Sequence, residues 1–342
     1  MTSPFPYICC RFRRDWRRLL STGLTAVLFL LLPAAAGCNA TGVTPQRVLN
    51  IAVILGEGGL GDRSLNDTVY SGLEASMKKY SIRFETVNYS DTEADIKALR
   101  DYADSGYDLI IGVTAVNQEN IQMVAAEFPD IYFAVIDGEA SGINVASFLF
   151  REEEGDFLLG SLAAMLTSTK KIGVITGDDT PAARRTVSAF EQGAAYQDKN
   201  VRVSANFTGT LTDPQAGLSM ALDWFNNQGV DIIHNAAARA GLGIIEAARQ
   251  TGNLVTGTDG DQRYLAPGNV IGSRPKRGDT AVEMLLREVR EDMFTVGTRT
   301  IGLKENGISV GPFDETVVSR DIQKQLDALT EKMVNGEIVI TE

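Results

Sequence analysis

A short glycine loop near the start of the chain carries the first residues that could do chemistry. Segment 56–61 has the spacing G-x-G-x-x-G and follows the apolar segment 48–55, a context typical of a dinucleotide-binding turn. Such a turn holds a pyrophosphate on bare backbone N–H groups. Glu57 and Asp62 instead bring negative charge to this loop, which disfavours a phosphate. The loop therefore fits two different proteins, a dinucleotide enzyme or a solute receptor.

A second set of polar residues follows strand-like segments further along the chain. Asp137 ends one such segment, His234 and Asn235 end another, and Asp259 follows a third. In open parallel sheets, ligands bind beyond the carboxyl ends of the strands. We therefore expect these side chains to surround one cleft together with Asp62 and Asn66 of the glycine loop. His234 is the only histidine, and on an apolar strand it fits either a structural hydrogen bond or a ligand contact.

The elements that must position these residues alternate regularly. The apolar patterns predict strands at 48–55, 82–88, 107–113, 131–137, 143–149, 171–177, 201–208, 230–235, 253–258 and 268–272. They predict helices at 64–80, 92–105, 116–128, 153–168, 181–197, 213–228, 240–251, 277–291 and 315–334. In the first helix, Ser64 and Asp67 have the spacing of a capping box. Such alternation predicts an α/β fold with parallel sheets covered by helices on both faces.

The amino terminus has the pattern of a secretory signal peptide. Five arginines within 11–18 precede the uncharged run 19–32 and the small residues of 33–37, which predicts a signal peptide over 1–37. The apolar run is shorter than the roughly 20 residues of a membrane-spanning helix. Segment 35–38, Ala-Ala-Gly-Cys, resembles a bacterial lipobox, which implies a lipid on Cys38 and a tether over 38–47. Ordinary cleavage with an incidental cysteine is the alternative. Either reading predicts a folded part outside the cytoplasm.

The net charge restricts the possible partners, and the cysteine content restricts the possible disulfides. The full chain has a formal charge of −12, and removing 1–37 takes away five arginines and Asp15, which leaves −16 on 305 residues. Nucleic acids and anionic lipid surfaces attract basic patches, so we expect neither as a partner. Cys9 and Cys10 would leave with the signal peptide. The mature chain would then have no internal disulfide, and its length suggests two domains.

Several segments together resemble one family. They include 61–66 (Gly-Asp-Arg-Ser-Leu-Asn), 106–112, 128–130, 133–137, 144–147, 171–175, 257–262 (Gly-Thr-Asp-Gly-Asp-Gln) and 336–338. In order and spacing they resemble the basic membrane lipoprotein family, whose better-known members are similar to purine-nucleoside receptors of ABC transporters. The resemblance implies a type I periplasmic-binding fold, with two doubly wound parallel-sheet lobes joined by crossing strands. It implies lobe one over 48–150 plus about 273–312, and lobe two over 151–272 plus about 313–342.

The resemblance also implies roles for individual residues. Asp62 and Asn66 match a family loop that reads the edge of a heterocyclic base, and the alternative is support of the turn and the first helical turn. Asp259 resembles an aspartate that accepts hydrogen bonds from a sugar's hydroxyl pair. Lys276 matches a lysine near the same sugar. The alternative for Asp259 and Lys276 is a solvated surface turn.

The aromatic residues depart from the family pattern. Four positions where the family commonly has rings carry none, namely Leu65, Ala115, Thr186 and His234. Rings would hold a flat base by stacking and apolar burial. Phe207 ends a strand and could restore part of a stack, whereas Phe190 fits the core face of its helix. We therefore expect a retained sugar-binding end and an altered base-binding end.

The sequence favours a binding protein over an enzyme. Enzymes need a nucleophile with a base, a metal cluster or a cofactor cradle, and the chain shows no HExxH, P-loop or G-x-S-x-G motif. We expect a lipid-anchored receptor without cofactor or metal that serves an ABC permease and binds a nucleoside or similar ribose-bearing solute. One alternative is a sensor or surface lipoprotein without a transport role. Others are a dinucleotide-binding enzyme and a nucleoside hydrolase using Asp62, Asp137 or Asp259.

Overall fold

A computed structural model describes residues 47–341 of the chain. The predicted signal peptide, the predicted lipidation site at Cys38 and the tether up to residue 46 lie outside the described residues. The described residues belong to one compact unit.

Strands in the described part of the chain form two fully parallel sheets. They are β1 (Leu49–Ile54), β2 (Ile82–Val87), β3 (Leu109–Val113), β4 (Tyr132–Ile136), β5 (Val145–Phe150), β6 (Lys171–Thr176), β7 (Arg202–Phe207), β8 (Ile232–Ala236), β9 (Leu254–Asp259), β10 (Val270–Pro275) and β11 (Gly297–Ile301). The first sheet has the order β11-β5-β4-β3-β1-β2, and the second has the order β10-β9-β8-β6-β7. Each paired ladder is parallel.

Helices connect the strands and cover both sheets. They are α1 (Leu65–Lys79), α2 (Thr92–Asp104), α3 (Gln118–Glu127), α4 (Glu152–Leu166), α5 (Pro181–Gln197), α6 (Pro214–Asp223), α7 (Gly241–Thr251), α8 (Gly278–Arg290) and α9 (Arg320–Val334). A π-helical turn, Trp224–Gln228, continues α6. The central strands are buried along nearly their whole length, as β3 shows, because helices exclude water from both faces of the sheets.

The chain passes between the two sheets three times. It leaves the first sheet after β5, returns after β10 and leaves it again after β11. The last helix, α9, contributes Leu326 and Leu329 to the core around the second sheet. This confirms the predicted fold class, two α/β lobes with parallel sheets joined by crossing segments.

The predicted elements agree with the structure except at one strand. Sequence patterns predict ten strands, and the structure adds β11 at the edge of the first sheet, where it pairs with β5. β11 reads Gly-Thr-Arg-Thr-Ile and buries only Ile301. An edge strand with one buried side chain carries no apolar run, so its sequence has no strong strand signal.

Candidate functional site

Backbone N–H groups of the glycine loop donate hydrogen bonds to side chains that follow the loop in the sequence. The N–H of Gly56 donates to Asn66 Oδ1 at 2.8 Å. The N–H groups of Gly61 and Arg63 donate to the two carboxylate oxygens of Asp67 at 2.7 and 2.9 Å. A dinucleotide turn would offer such donors to a pyrophosphate. Because carboxylate and amide oxygens already occupy these donors, the loop does not present a phosphate cradle.

Asp62 and Asn66 organise this loop together. Asp62 accepts hydrogen bonds from the Ser64 N–H at 2.8 Å and from Asn66 Nδ2 at 2.7 Å. Asn66 is 1% exposed. The Ser64 side chain makes no capping hydrogen bond, so the predicted capping box is wrong, and Asp62 caps the helix start through the Ser64 and Asp67 N–H groups. In this structure both predicted ligand residues support the turn, the role that the sequence left as the alternative.

The glycine loop of lobe one touches lobe two beside Asp259. A Cβ atom at Gly260 would lie 1.7 Å from the carbonyl oxygen of Arg63, so only glycine fits this approach. The Arg63 guanidinium lies over the ring of Tyr264, 3.7 Å from its centroid, in the geometry of a cation–π contact. The residues just after the glycine loop therefore pack against lobe two next to Asp259.

A cavity of about 270 Å³ lies at the carboxyl ends of the strands of the second sheet. It is lined by side chains from the ends of β6, β8, β9 and β10 and from the starts of α4 and α5, including Thr176, Thr258, Asp259, Arg274, Lys276 and Glu152. Its position is that of ligand sites in open α/β sheets. A larger cavity of about 590 Å³ lies between α5 and the carboxyl-terminal tail, and no predicted site residue lines it.

Lys276 connects both lobes at this cavity. Its Nζ lies 2.8 Å from Asp137 Oδ2, 2.9 Å from Glu152 Oε1 and 3.8 Å from Asp259 Oδ1. Asp137 follows β4 of the first sheet, Glu152 begins α4, and Asp259 ends β9 of the second sheet. The structure thus brings together Asp137, Asp259 and Lys276 among the predicted site residues, and it adds Glu152.

The proximity of these charges shifts their pKa values. Burial acts to lower the pKa of Lys276, but Glu152, Asp137 and Asp259 outweigh burial and raise that pKa well above its usual range. Burial acts to raise the pKa of Glu152, but Lys276 and Arg274 lower it to about 2. Burial raises the pKa of Asp137 despite the nearby Lys276. Lys276 and Glu152 are therefore both ionised at neutral pH.

Arg274 lies beneath Lys276 and is almost fully buried. Its side chain is 2% exposed, its Nε lies 2.7 Å from Asp156 Oδ1, and its Nη1 lies 2.7 Å from Glu152 Oε2. Asp156 is completely buried. Removing charges from water is costly unless they are paired, and Arg274 provides that pairing for Asp156 and Glu152.

His234 and Asn235 lie behind the cavity instead of on its wall. His234 is completely buried, with Nδ1 2.8 Å from Thr256 Oγ1 and Nε2 3.2 Å from Asp156 Oδ1. Asn235 is 2% exposed, and its Nδ2 donates to the carbonyl oxygen of Gly241 at 3.3 Å. His234 therefore has the structural hydrogen bonds that the sequence left as its alternative, and Asn235 supports the start of α7.

The predicted aromatic positions are scattered. Phe207 is half-buried at the end of edge strand β7 and is not among the residues that line the cavity. Phe190 stacks on His234, with ring centroids 5.1 Å apart, which confirms it as a core residue. Leu65 belongs to the core of lobe one. Of the four positions where the family commonly has an aromatic ring, Thr186 is the one that lines the cavity.

Four of the nine described non-glycine residues with positive φ lie at or just after the carboxyl ends of strands. Thr114, Asp137, Ala238 and Asp259 have φ values of 67°, 67°, 50° and 61°. Residues with side chains rarely adopt this left-handed region, at a cost of about 1–3 kcal/mol each. Such strain is typical of ligand-binding sites, where the surrounding structure fixes it. The positions of Asp137 and Asp259 therefore agree with a functional cleft.

The charge cluster predicts a specific pH dependence for Glu152→Gln. Because the pKa of Glu152 falls from 4.5 to about 2 on folding, its ionisation stabilises the fold above about pH 4.5, and this stabilisation is lost as pH falls towards 2. We expect Glu152→Gln to be less stable than wild type near neutral pH, with a difference that shrinks below about pH 4.5. Urea unfolding at several pH values measures this difference.

Glu153→Gln is the matched control for that experiment. Burial raises the pKa of Glu153, so its ionisation opposes folding, and the neutral variant should be more stable than wild type near neutral pH. A Glu152→Gln difference that stays constant from neutral pH to about pH 3 would show that Glu152 carries no such shift.

Glu152, Asp156 and Thr176 were not predicted as site residues. The available signal was the acidic run 152–154, which is separated from the end of β5 by one residue, and two cations at the end of β10, Arg274 within the strand and Lys276 just beyond it. Two cations this close to a buried strand end require nearby carboxylates, because unpaired charges are costly to remove from water. The acidic run after β5 and these two cations together indicate Glu152 as a site residue.

Comparisons with known proteins agree with this arrangement. Residues 49–342 match the family model for the PnrA-like ABC transporter substrate-binding protein. Basic membrane protein A1 of Borrelia garinii subsp. bavariensis is 30% identical over 311 residues, which cover 89% of this chain and 91% of that protein. An uncharacterized lipoprotein of Pyrococcus furiosus is 28% identical, over 87% of this chain and 78% of that protein.

A solved structure supports the same assignment. The crystal structure of an ABC transporter solute-binding protein from Aeropyrum pernix K1 superposes with a TM-score of 0.70 at 25% identity, covering 86% of this chain and 94% of that one. Within residues 47–341, no helix is both long and apolar enough to cross a membrane. The family model spans nearly all of the described chain and describes solute-binding proteins rather than enzymes. The chain therefore belongs to the PnrA-like family of ABC transporter substrate-binding proteins.

Proposed function

We propose that this protein is a lipid-anchored receptor that closes its two lobes over a ribose-bearing solute, a nucleoside or a similar compound. The receptor then presents the loaded, closed form to the permease of an ABC importer. The observation that carries this proposal is the position of Lys276, whose ammonium group lies between Asp137 of lobe one and Asp259 of lobe two.

Asp259 and Lys276 have the chemistry to hold a sugar. The two carboxylate oxygens of Asp259 can each accept a hydrogen bond from one of two adjacent hydroxyls. The Asp259 side chain is 38% exposed, whereas that of Lys276 is 12% exposed. Asp259 is therefore free to meet a ligand, while Lys276 stays ion-paired and fixes the position of the carboxylates around it.

Ligand binding between the lobes explains how the receptor signals. A solute that contacts Asp259 of lobe two and the cleft edge of lobe one has more partners in a closed form than in an open form. It therefore shifts the population towards closure by its difference in affinity for the two forms. A permease that recognises both lobes together would distinguish the loaded receptor from the empty one.

The amino-terminal sequence supports a lipid anchor. Cys38 follows Ala35-Ala36-Gly37, and the small, polar residues after it would connect a lipid to the folded lobes. The similarity to a protein named as a lipoprotein supports this reading. Mass spectrometry of the protein purified from membranes, with a diacylglyceryl group on Cys38 as the expected result, tests it.

Ligand binding can be tested with four probes. We expect adenosine, uridine and D-ribose to raise the melting temperature of the mature protein, because a ligand at 100 times its Kd stabilises the bound form by about 2.7 kcal/mol. Free adenine, which lacks the sugar, should shift it least. If no ribose-bearing probe shifts the melting temperature or binds in calorimetry, the ligand assignment is wrong.

A further inference from the structure

Lobe two contacts lobe one directly at Gly260, the residue that follows the end of β9. A Cβ atom at Gly260 would lie 1.7 Å from the carbonyl oxygen of Arg63 and 3.3 Å from the Cα atom of Ser64. Outside Gly260 and its two neighbours in the chain, the three heavy atoms nearest to that position all belong to these two residues of lobe one. The backbones of the two lobes therefore meet here without room for a methyl group.

Lobe two itself does not require a glycine at this position. Gly260 is not among the glycines with a positive φ, so its φ is one that residues with a side chain also adopt. The atoms that exclude a Cβ atom come from lobe one. An alanine at position 260 would therefore be compatible with lobe two alone, but it would prevent the two lobes from approaching as closely as they do in this structure.

A second contact between the lobes lies beside the first. The Arg63 guanidinium is 3.7 Å from the centroid of the Tyr264 ring, and both side chains are exposed. A cation–π contact at an exposed site shifts an equilibrium by about two- to fivefold. Arg63 of lobe one therefore makes both a backbone contact and a side-chain contact with lobe two.

The backbone on each side of this contact is held in a fixed conformation. Arg63 has a φ of 52°, and Asp259, next to Gly260, has a φ of 61°, values that residues with side chains rarely adopt. The Arg63 N–H donates to Asp67 Oδ2 at 2.9 Å, and the Gly260 N–H donates to the carbonyl oxygen of Thr258 at 2.7 Å. Because these hydrogen bonds fix both segments, relief of a clash at position 260 requires the lobes to separate.

We propose that Arg63, Gly260 and Tyr264 form an interlobe latch, which stabilises the closed arrangement of the two lobes through contacts between protein atoms alone. None of these three residues is among those that line the cavity of about 270 Å³. The latch increases the fraction of the receptor that is closed, and the apparent affinity for any solute that binds between the lobes rises with that fraction. The inference rests on the lobe closure of the proposed function and is independent of which solute binds.

The distance between the lobes tests the latch without any ligand. Spin labels at Glu119 on α3 and Thr212 before α6 lie on opposite lobes and report that distance in mature protein that carries Cys38→Ser. Heavy atoms in contact lie about 3.5 Å apart, so relief of the 1.7 Å approach requires a separation of about 2 Å. We expect Gly260→Ala to lengthen the mean distance between the labels by at least this amount. An unchanged distance in folded Gly260→Ala would overturn the latch.

Calorimetry with adenosine and D-ribose distinguishes an effect on closure from a direct effect on the solute. Gly260→Ala should lower the affinity for both probes by the same factor, at least about tenfold, because it acts on the closed fraction alone. A loss for one probe only would show that position 260 contacts the solute, which contradicts the latch. If the wild type binds neither probe, the ligand assignment of the proposed function fails, and the label distance without ligand still decides on the latch.

A double-mutant cycle tests the side-chain contact and does not depend on the folding of Gly260→Ala. We expect Arg63→Gln and Tyr264→Leu each to weaken the binding of both probes by about two- to fivefold, and the double variant to lose no more than either single variant. Tyr264→Phe is the matched control, because it keeps the ring, and its affinity should equal that of the wild type. Losses that multiply in the double variant, or an equal loss in Tyr264→Phe, would contradict the contact between Arg63 and Tyr264.

Discussion

Replacing Arg274 with methionine is expected to destabilise the protein by about 3–5 kcal/mol, because it leaves a buried carboxylate without its counterion. Asp156 is completely buried, and the Arg274 Nε lies 2.7 Å from it. His234, 3.2 Å from the same Asp156 oxygen, would be its closest remaining partner. Urea unfolding of the wild type and of Arg274→Met measures the change in the free energy of unfolding.

A double variant distinguishes lost charge from lost packing. Arg274→Met combined with Asp156→Asn removes both buried charges and keeps a side chain that can bond to His234. We expect it to recover most of the lost stability, since replacing a whole buried ion pair is often nearly neutral. A single variant within about 1 kcal/mol of wild type, or a double variant no more stable than the single one, would contradict this account of the cluster.

Replacing Lys276 with methionine should have the largest effect on ligand binding. The substitution keeps the apolar stem and removes the ammonium group that holds Asp137, Glu152 and Asp259 together. Truncating one partner of a buried charge pair at a binding site costs about 2 kcal/mol or more, which corresponds to at least about a 30-fold loss of affinity. Calorimetry with adenosine and D-ribose measures this loss.

Lys199→Met is the control for the change in net charge. Lys199 is exposed near the end of α5, and the substitution removes one positive charge without touching the cavity. The affinity of Lys199→Met for adenosine and for D-ribose should equal that of the wild type. An affinity in Lys276→Met within about threefold of wild type would remove Lys276 from the binding machinery.

The sequence predicted the site residues that lie at the ends of strands. Asp137 and Asp259 stand at the points where β4 and β9 end, and the carboxyl ends of parallel strands meet at one edge of a sheet. Lys276 follows β10 directly. A break in an apolar run marks such an end, so the sequence pattern indicated that Asp137 and Asp259 meet, whereas Lys276 was expected beside them only from the family resemblance.

The positions of His234 and Asn235 depended on details that the sequence does not contain. β8 continues to Ala236, so both side chains still lie inside the sheet and point to its two buried faces. The polar residues beneath the cavity, Asp156 and Arg274, give His234 a partner. A partner 78 positions away is a tertiary contact, which local patterns cannot reveal.

The role of the glycine loop also depended on the tertiary structure. Its spacing fits a phosphate turn, and only the hydrogen bonds to Asn66 and Asp67 show that the backbone donors are occupied. A Cβ atom at Gly56 would lie 2.5 Å from Thr114 Oγ1. This glycine therefore permits close approach of the loop after β3, which is a packing reason for a residue that first suggested a cofactor.

The distance between the lobes tests the central claim most directly. Spin labels at Glu119 on α3 and Thr212 before α6, both exposed and on opposite lobes, can be introduced as cysteines in mature protein that carries Cys38→Ser. We predict that saturating adenosine or D-ribose shortens the distance between the labels, and that Lys276→Met abolishes the change. An unchanged distance at concentrations where calorimetry shows binding would contradict closure of the two lobes over a ribose-bearing solute.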